Sequence, residues 1–183
     1  MSRTEIKRSR KKRNQRKLLL TCIILIWALF ILYMSTRSYQ QQSIRPILTS
    51  ISHHLQINVT LPNINIHYAN KIYSLQNNPY GFIEFVFRKC AHVFVYGVLT
   101  VLTHLFIRKV WKDNLISYIL PLGLILIIAC LDETIQRYSE NRTSSSYDVV
   151  LDFSGGCLAL LLTMMIRWFL QKRRSKSSSS LIP

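Results

Sequence analysis

The sequence predicts an all-α polytopic membrane protein: a four-helix transmembrane bundle with a long extracytoplasmic loop after the first span. Three observations carry this. Hydrophobic residues make up 49% of the chain, yet its net charge is +16. The apolar residues are gathered in four runs, long enough to cross a hydrocarbon core of about 30 Å as helices. Lys and Arg cluster between and beyond those runs, as the preference of positive charge for the cytoplasmic side requires. A soluble nucleic-acid binder of similar basicity would intersperse its charges with its apolar residues, so the partner expected here is the lipid bilayer and no nucleic acid.

Residues 1–17 hold nine Lys or Arg against one acid, Glu5, with no apolar pattern that could pack a core. That composition predicts a solvated cytoplasmic tail drawn towards anionic head groups. The first span, 18–34, is interrupted only by Thr21. Its basic front resembles a signal peptide, but Tyr33-Met34-Ser35-Thr36-Arg37 is too bulky and charged for a cleavage site, so the span reads as an uncleaved anchor.

The connection 36–81 is too long for a turn. Within it Ile44, Ile47, Leu48, Ile51 and Leu55 recur at helical spacing opposite Ser50, Ser52 and His53, which predicts an amphipathic helix lying on the membrane or lidding the bundle. Ile64-Asn65-Ile66 alternates as a strand does, with no obvious partner. The second span, 82–107, opens on Glu84, Arg88, Lys89 and His92. The third, 115–131, runs into Asp132 and Glu133, and the fourth, 149–170, carries Asp152 near its start. Residues 171–183 are expected to be a disordered, Ser-rich cytoplasmic tail. Cys22, Cys90, Cys130 and Cys157 fall in or beside apolar runs without metal-ligand spacing, and are expected as small buried apolar residues.

Charge sets the expected orientation. With both termini in the cytoplasm, the inner segments hold seventeen basic residues and two acids, and the outer side seven and six. The polar end of the second span, the end of the third and the start of the fourth then lie at one depth, on the outer face. Lys89, His92 and Tyr96 share one face of their helix, Asp132 and Gln136 lie four apart, and Asp148, Asp152, Gly155 and Ala159 form a single stripe. The small residues of that stripe would let a neighbouring helix approach closely. Ionisable groups at this depth are costly and point to function. The competing explanation is mutual neutralisation: Glu84 with Arg88, Glu133 with Arg137, and Asp148 or Asp152 with Lys89 or Arg142.

Arg88-Lys89-x-x-His92-x-x-x-Tyr96, then Asp132-Glu133-x-x-Gln136, then Arg142 and Asp148 followed by Gly155-Gly156, resemble the VanZ-like membrane protein family. The resemblance spans roughly residues 18–166 and includes the Met34-Ser35 end of the first span. Asp152 departs from it, since many members carry Asn there. The family's founding member is associated with resistance to the glycopeptide teicoplanin in Gram-positive bacteria, and an enzymatic role on lipid head groups has been proposed for the wider group. The resemblance therefore implies a cell-envelope setting.

Three functions remain open on these residues. In the first, an enzyme acts on phospholipid or a lipid-linked envelope precursor. Lys89 and Arg142, beside Arg88, bind phosphate; His92 is the general acid, base or nucleophile, oriented by Asp148 or Asp132; Tyr96, Glu133, Gln136 and Asp152 complete the substrate site. No metal-binding motif is present and none is assigned, although Glu133, Asp148 and Asp152 are the oxygen ligands that Mg²⁺ or Mn²⁺ would use; the cofactor is left open. In the second, the same groups mask an envelope precursor or the antibiotic without turnover. The third, a transporter or proton relay, finds a thin polar path, with Thr100, Thr103 and His104 below the cluster on the second span and Ser117 and Tyr118 on the third.

Overall fold

The computed structural model describes residues 3–38, 40–55, 61–69, 71–111, 114–138 and 145–179, with the backbone alone for 53–55 and 174–179. Four long helices form the bundle: α1 (Arg3–Thr36), α3 (Pro79–Trp111), α4 (Ile116–Arg137) and α5 (Ser146–Ser179). All four are long and apolar enough to cross a membrane. A short helix α2 (Arg45–Leu55) and a hairpin of β1 (Asn65–Tyr68) and β2 (Lys71–Ser74) fill the connection between α1 and α3. The expected spans fall within these helices, Leu115 serving as the N-cap of α4.

One expectation for the tails, disorder of the Ser-rich segment, needs correcting. The basic segment before residue 18 continues α1 without a break, and the Ser-rich segment continues α5 to Ser179. Once a span is helical, adding residues at its end is far easier than nucleating anew, and Lys, Arg and Gln are good helix formers. The basic side chains of α1 are exposed, as a solvated segment requires.

The lone strand has a partner after all. β1 and β2 pair antiparallel, Asn65 opposite Ser74 and Tyr68 opposite Lys71, and Ala69 turns the chain with φ 47°. Tyr68 and Tyr73 share one face and close on Phe85 of α3, Tyr73 stacked at 3.9 Å and Tyr68 edge-on at 5.4 Å. The amphipathic helix forms as expected. Glu84 holds its start by accepting from the Ile44 N–H at 3.2 Å and from Arg45 Nε at 2.7 Å, a carboxylate at a helix N-terminus. Ser52 meets the Tyr80 hydroxyl at 2.6 Å, while Ile47 and Ile51 point outward, where a bilayer interface would receive them.

Helix α3 starts cleanly because Asn78 accepts from the Gly81 N–H at 3.0 Å and Pro79 follows it at the first helical position. Lipid supplies no hydrophobic drive between spans, so close packing of small residues takes its place. A Cβ on Gly155 would lie 2.7 Å from the Val93 carbonyl oxygen, and one on Gly97 3.3 Å from Ala159 Cβ. The small-residue stripe of α5 thus brings α3 and α5 into backbone contact. Ile31, Tyr96, Leu99, Ile125, Ile128 and Ala129 fill the centre of the bundle. α1 packs on α3 and α4, tied by Trp27 Nε1 to the Val95 carbonyl at 2.9 Å.

Cys22, Cys90 and Cys130 are free and lie on the outside of the bundle rather than inside it. A thiol is a small apolar group, and the surface of a spanning helix meets lipid, so this placement follows from the same chemistry.

Candidate functional site

The end of α1, the start of α3, the end of α4 and the start of α5 meet at one end of the bundle, beneath the hairpin. There α3 presents three successive side chains to three carboxylates. Lys89 Nζ pairs with Asp148 of α5. His92 Nδ1 lies 3.0 Å from Asp152 Oδ1, one turn further along α5. Tyr96 donates its hydroxyl proton to Asp132 Oδ2 of α4 at 3.0 Å. The i, i+3, i+7 spacing on α3 is what brings all three to bear on the neighbouring helices.

Each rung is braced differently. Asp148 also accepts from the Tyr68 hydroxyl, and the Tyr68 ring lies 4.4 Å from Lys89 Nζ. Burial, then the hydrogen bond to the charged Asp148, push the Tyr68 phenol above its ordinary value, so it remains a donor. Asp132 receives a second bond at Oδ2 from Gln136 Nε2, at 3.0 Å and four residues on. Its carbonyl accepts from Ser35 Oγ of α1 at 3.0 Å. Asp132 and Asp152 are 3% and 2% exposed, and the Oδ1 atom of Asp132 is buried without a hydrogen-bond partner among the described residues.

A cleft of about 190 Å³ opens between α1, α3 and α4. Arg88, His92, Tyr96, Asp132 and Gln136 form its polar wall, and Phe30, Ile31 and Met34 of α1 its apolar wall. Asp152 stands behind His92 and does not line it. Below, the bundle closes: Leu99 and Ile125 are fully buried, and the Thr100 and Thr103 hydroxyls are returned to carbonyls of their own helix.

One polar contact beyond that plug has a local cause. Pro121 inside α4 lacks the N–H that would bond to the Ser117 carbonyl. His104 Nδ1 fills the gap, donating to that oxygen at 2.6 Å from a fully buried position. His104 repairs a helix.

Residues 20–167 match the VanZ/LLP1 family. The chain belongs to that family. The searches of curated proteins and of solved structures gave no match. In this VanZ/LLP1 protein the arrangement brings together His92, Tyr96, Asp132, Gln136 and Asp152, with Arg88 on the same cleft. Lys89 and Asp148 form a neighbouring pair outside the cleft lining, and Arg142 lies outside the described residues. The contact that orients His92 comes from Asp152, whereas sequence reasoning gave that position to Asp148 or Asp132. Glu133 is buried beside Asp132 on α4. Of the expected neutralising pairs, Arg88 and Glu84 stand 3.9 Å apart, with Arg45 as the closer partner of Glu84. Tyr68 and Arg45 were missed. Both sit in the long connection, and no periodicity on their own segments announces contacts with α3 and α5.

Proposed function

We propose that this VanZ/LLP1 protein takes the head group of a phosphate-bearing lipid, a phospholipid or a lipid-linked envelope precursor, into the cleft and transfers a proton there through His92. The observation that carries this is the amphiphilic cleft, with Arg88 and His92 on one wall and the apolar side chains of α1 on the other. Its 190 Å³ is below the roughly 300–1,000 Å³ of sites that enclose drug-sized ligands, which favours a head group over a whole glycopeptide. Arg88, together with Arg142, would bind phosphate by paired N–H donors. The imidazole, held by Asp152 at Nδ1, offers its ring to a proton-transfer step in the cleft. A link to teicoplanin resistance would then act through envelope lipid. The plug of Leu99 and Ile125 argues against transport.

The charge pattern favours cytoplasmic termini and a cleft at the outer leaflet of the cell membrane. Labelling of a Lys112→Cys variant from outside intact cells would reverse that orientation. For the chemistry, purified protein in nanodiscs is offered phospholipid and undecaprenyl-type phosphates, and head-group release is measured. Release that falls in His92→Ala and Arg88→Ala is the expected result. A parent protein that binds such a lipid but releases nothing leaves binding without turnover as its function.

A further inference from the structure

His92, Asp132 and Asp152 come from three different helices, yet one ligand-capable atom of each lies within 4.8 Å of the others. Two buried carboxylates this close oppose each other's ionisation unless a positive charge joins them. Among the described residues no Lys or Arg pairs with either: Lys89 is taken by Asp148, and Arg88 stands beside Glu84. Asp132 is the clearer case. Both of its described side-chain donors, Tyr96 and Gln136, converge on Oδ2, while Oδ1 is buried with no donor among the described residues. A buried carboxylate oxygen left without a donor carries a desolvation cost that a cation would remove.

We infer that His92, Asp132 and Asp152 bind one divalent transition-metal ion of the zinc or manganese class. Two carboxylates neutralise its charge. The imidazole disfavours Ca²⁺ and Mg²⁺, which prefer oxygen ligands throughout, and the lack of a thiolate in the cluster disfavours Cu(I) and iron–sulfur chemistry. Ligand bonds of roughly 2.1 Å place tetrahedral neighbours about 3.4 Å apart, so the ion draws the three side chains inward by small rotations. Tyr96 and Gln136 then act as the outer shell that orients a metal-bound carboxylate through its other oxygen. Three protein ligands leave a coordination position open, the pattern of catalytic rather than structural zinc sites. His92 and Asp132 line the cleft, so that position faces it beside Arg88. The set differs from the one sequence reasoning offered for an ion, because Asp148 is held by Lys89 and Tyr68.

The inference shares residues with the lipid reading but does not require it, and it puts His92 to a different use, since a nitrogen bound to metal carries no proton. Chelator-treated protein in nanodiscs is titrated with Zn²⁺ and with Mn²⁺ alone, desalted, and its metal content measured. One retained equivalent is expected, lost in His92→Ala and Asp152→Ala and kept in His67→Ala, a histidine on the hairpin. Gln136→Leu weakens retention by about 10–100-fold. Retention that survives His92→Ala, or none in the parent, overturns the site. Should the cluster variants fail to fold, Co²⁺ absorption of the parent decides: an imidazole-ligated visible spectrum supports the site, and a spectrum of the aqueous ion overturns it. No retained ion in a parent protein that still releases head group sinks this inference and leaves the lipid reading. A bound ion without release does the reverse.

Discussion

Asp148 and Asp152 stand one turn apart on the same face of α5 and both are buried, yet their surroundings are opposite in kind. Asp148 has a lysine and a tyrosine hydroxyl, and the hairpin folds over all three. Its charge is balanced, and both donors meet one of its oxygens, Oδ1. Asp152 has an imidazole as its only ion-pair partner among the described residues, and a second buried carboxylate, Asp132, in the same cluster. The first layer is the kind that holds helices together, and the second is the one on which the proposed chemistry rests. The lesson is that a cluster of charges at the end of a bundle need not be uniform, since one turn of helix separates a carboxylate paired with lysine from one that has no Lys or Arg partner among the described residues.

Substitutions can break this contrast, and the largest effect belongs to the second layer. His92→Ala is expected to lower head-group release by about 10²–10⁴-fold, the usual span for a positioned acid or base, measured on the folded fraction because the change also removes the partner of buried Asp152. Lys89→Met tests the first layer. It strands a buried Asp148, and the expected loss is about 3–5 kcal/mol of stability in thermal or denaturant unfolding, with lipid binding retained in whatever remains folded. If Lys89→Met left stability intact and abolished lipid binding, the two layers would have been assigned the wrong way round. Gly155→Ala strikes both at once. Its methyl group meets the Val93 backbone, so α3 and α5 must separate, and a cost of about 1–3 kcal/mol with a parallel fall in release is expected. The smallest effect sharpens the contrast by its sign. In chelator-treated protein, Asp152→Asn removes one of two repelling carboxylates and keeps a hydrogen-bonding group beside His92. Its stability should be unchanged or higher by up to about 1 kcal/mol, with release lost. Destabilisation of the size seen for Lys89→Met would make Asp152 a structural residue.

Sequence patterns revealed the frame of this molecule and one part of its site. Four apolar runs are directly readable because lipid permits few ways to satisfy a backbone. The pairing of Asp132 with Gln136, and the shared face of Lys89, His92 and Tyr96, follow from helical spacing alone. Which carboxylate meets which partner on α3 did not follow. That depends on the register between α3 and α5, set by the contact of Gly155 with Val93, and no single-helix periodicity contains an inter-helix register. The role of Asp152 was obscured for that reason. His104 is a different case, because the signal was present: a proline at 121 frees the carbonyl at 117, and a buried histidine on the neighbouring span is a ready donor.

The position of α1 has a further consequence. Because it packs on α3 and α4 and forms the apolar wall of the cleft, whatever occupies that space lies between the side chains of a membrane-spanning helix and the polar wall. If the ligand is a lipid, as proposed, it arrives by two-dimensional diffusion and keeps its tails among other tails throughout. Occupancy is then governed by the mole fraction of that lipid in its own leaflet, and dilution of the surrounding water leaves it unchanged.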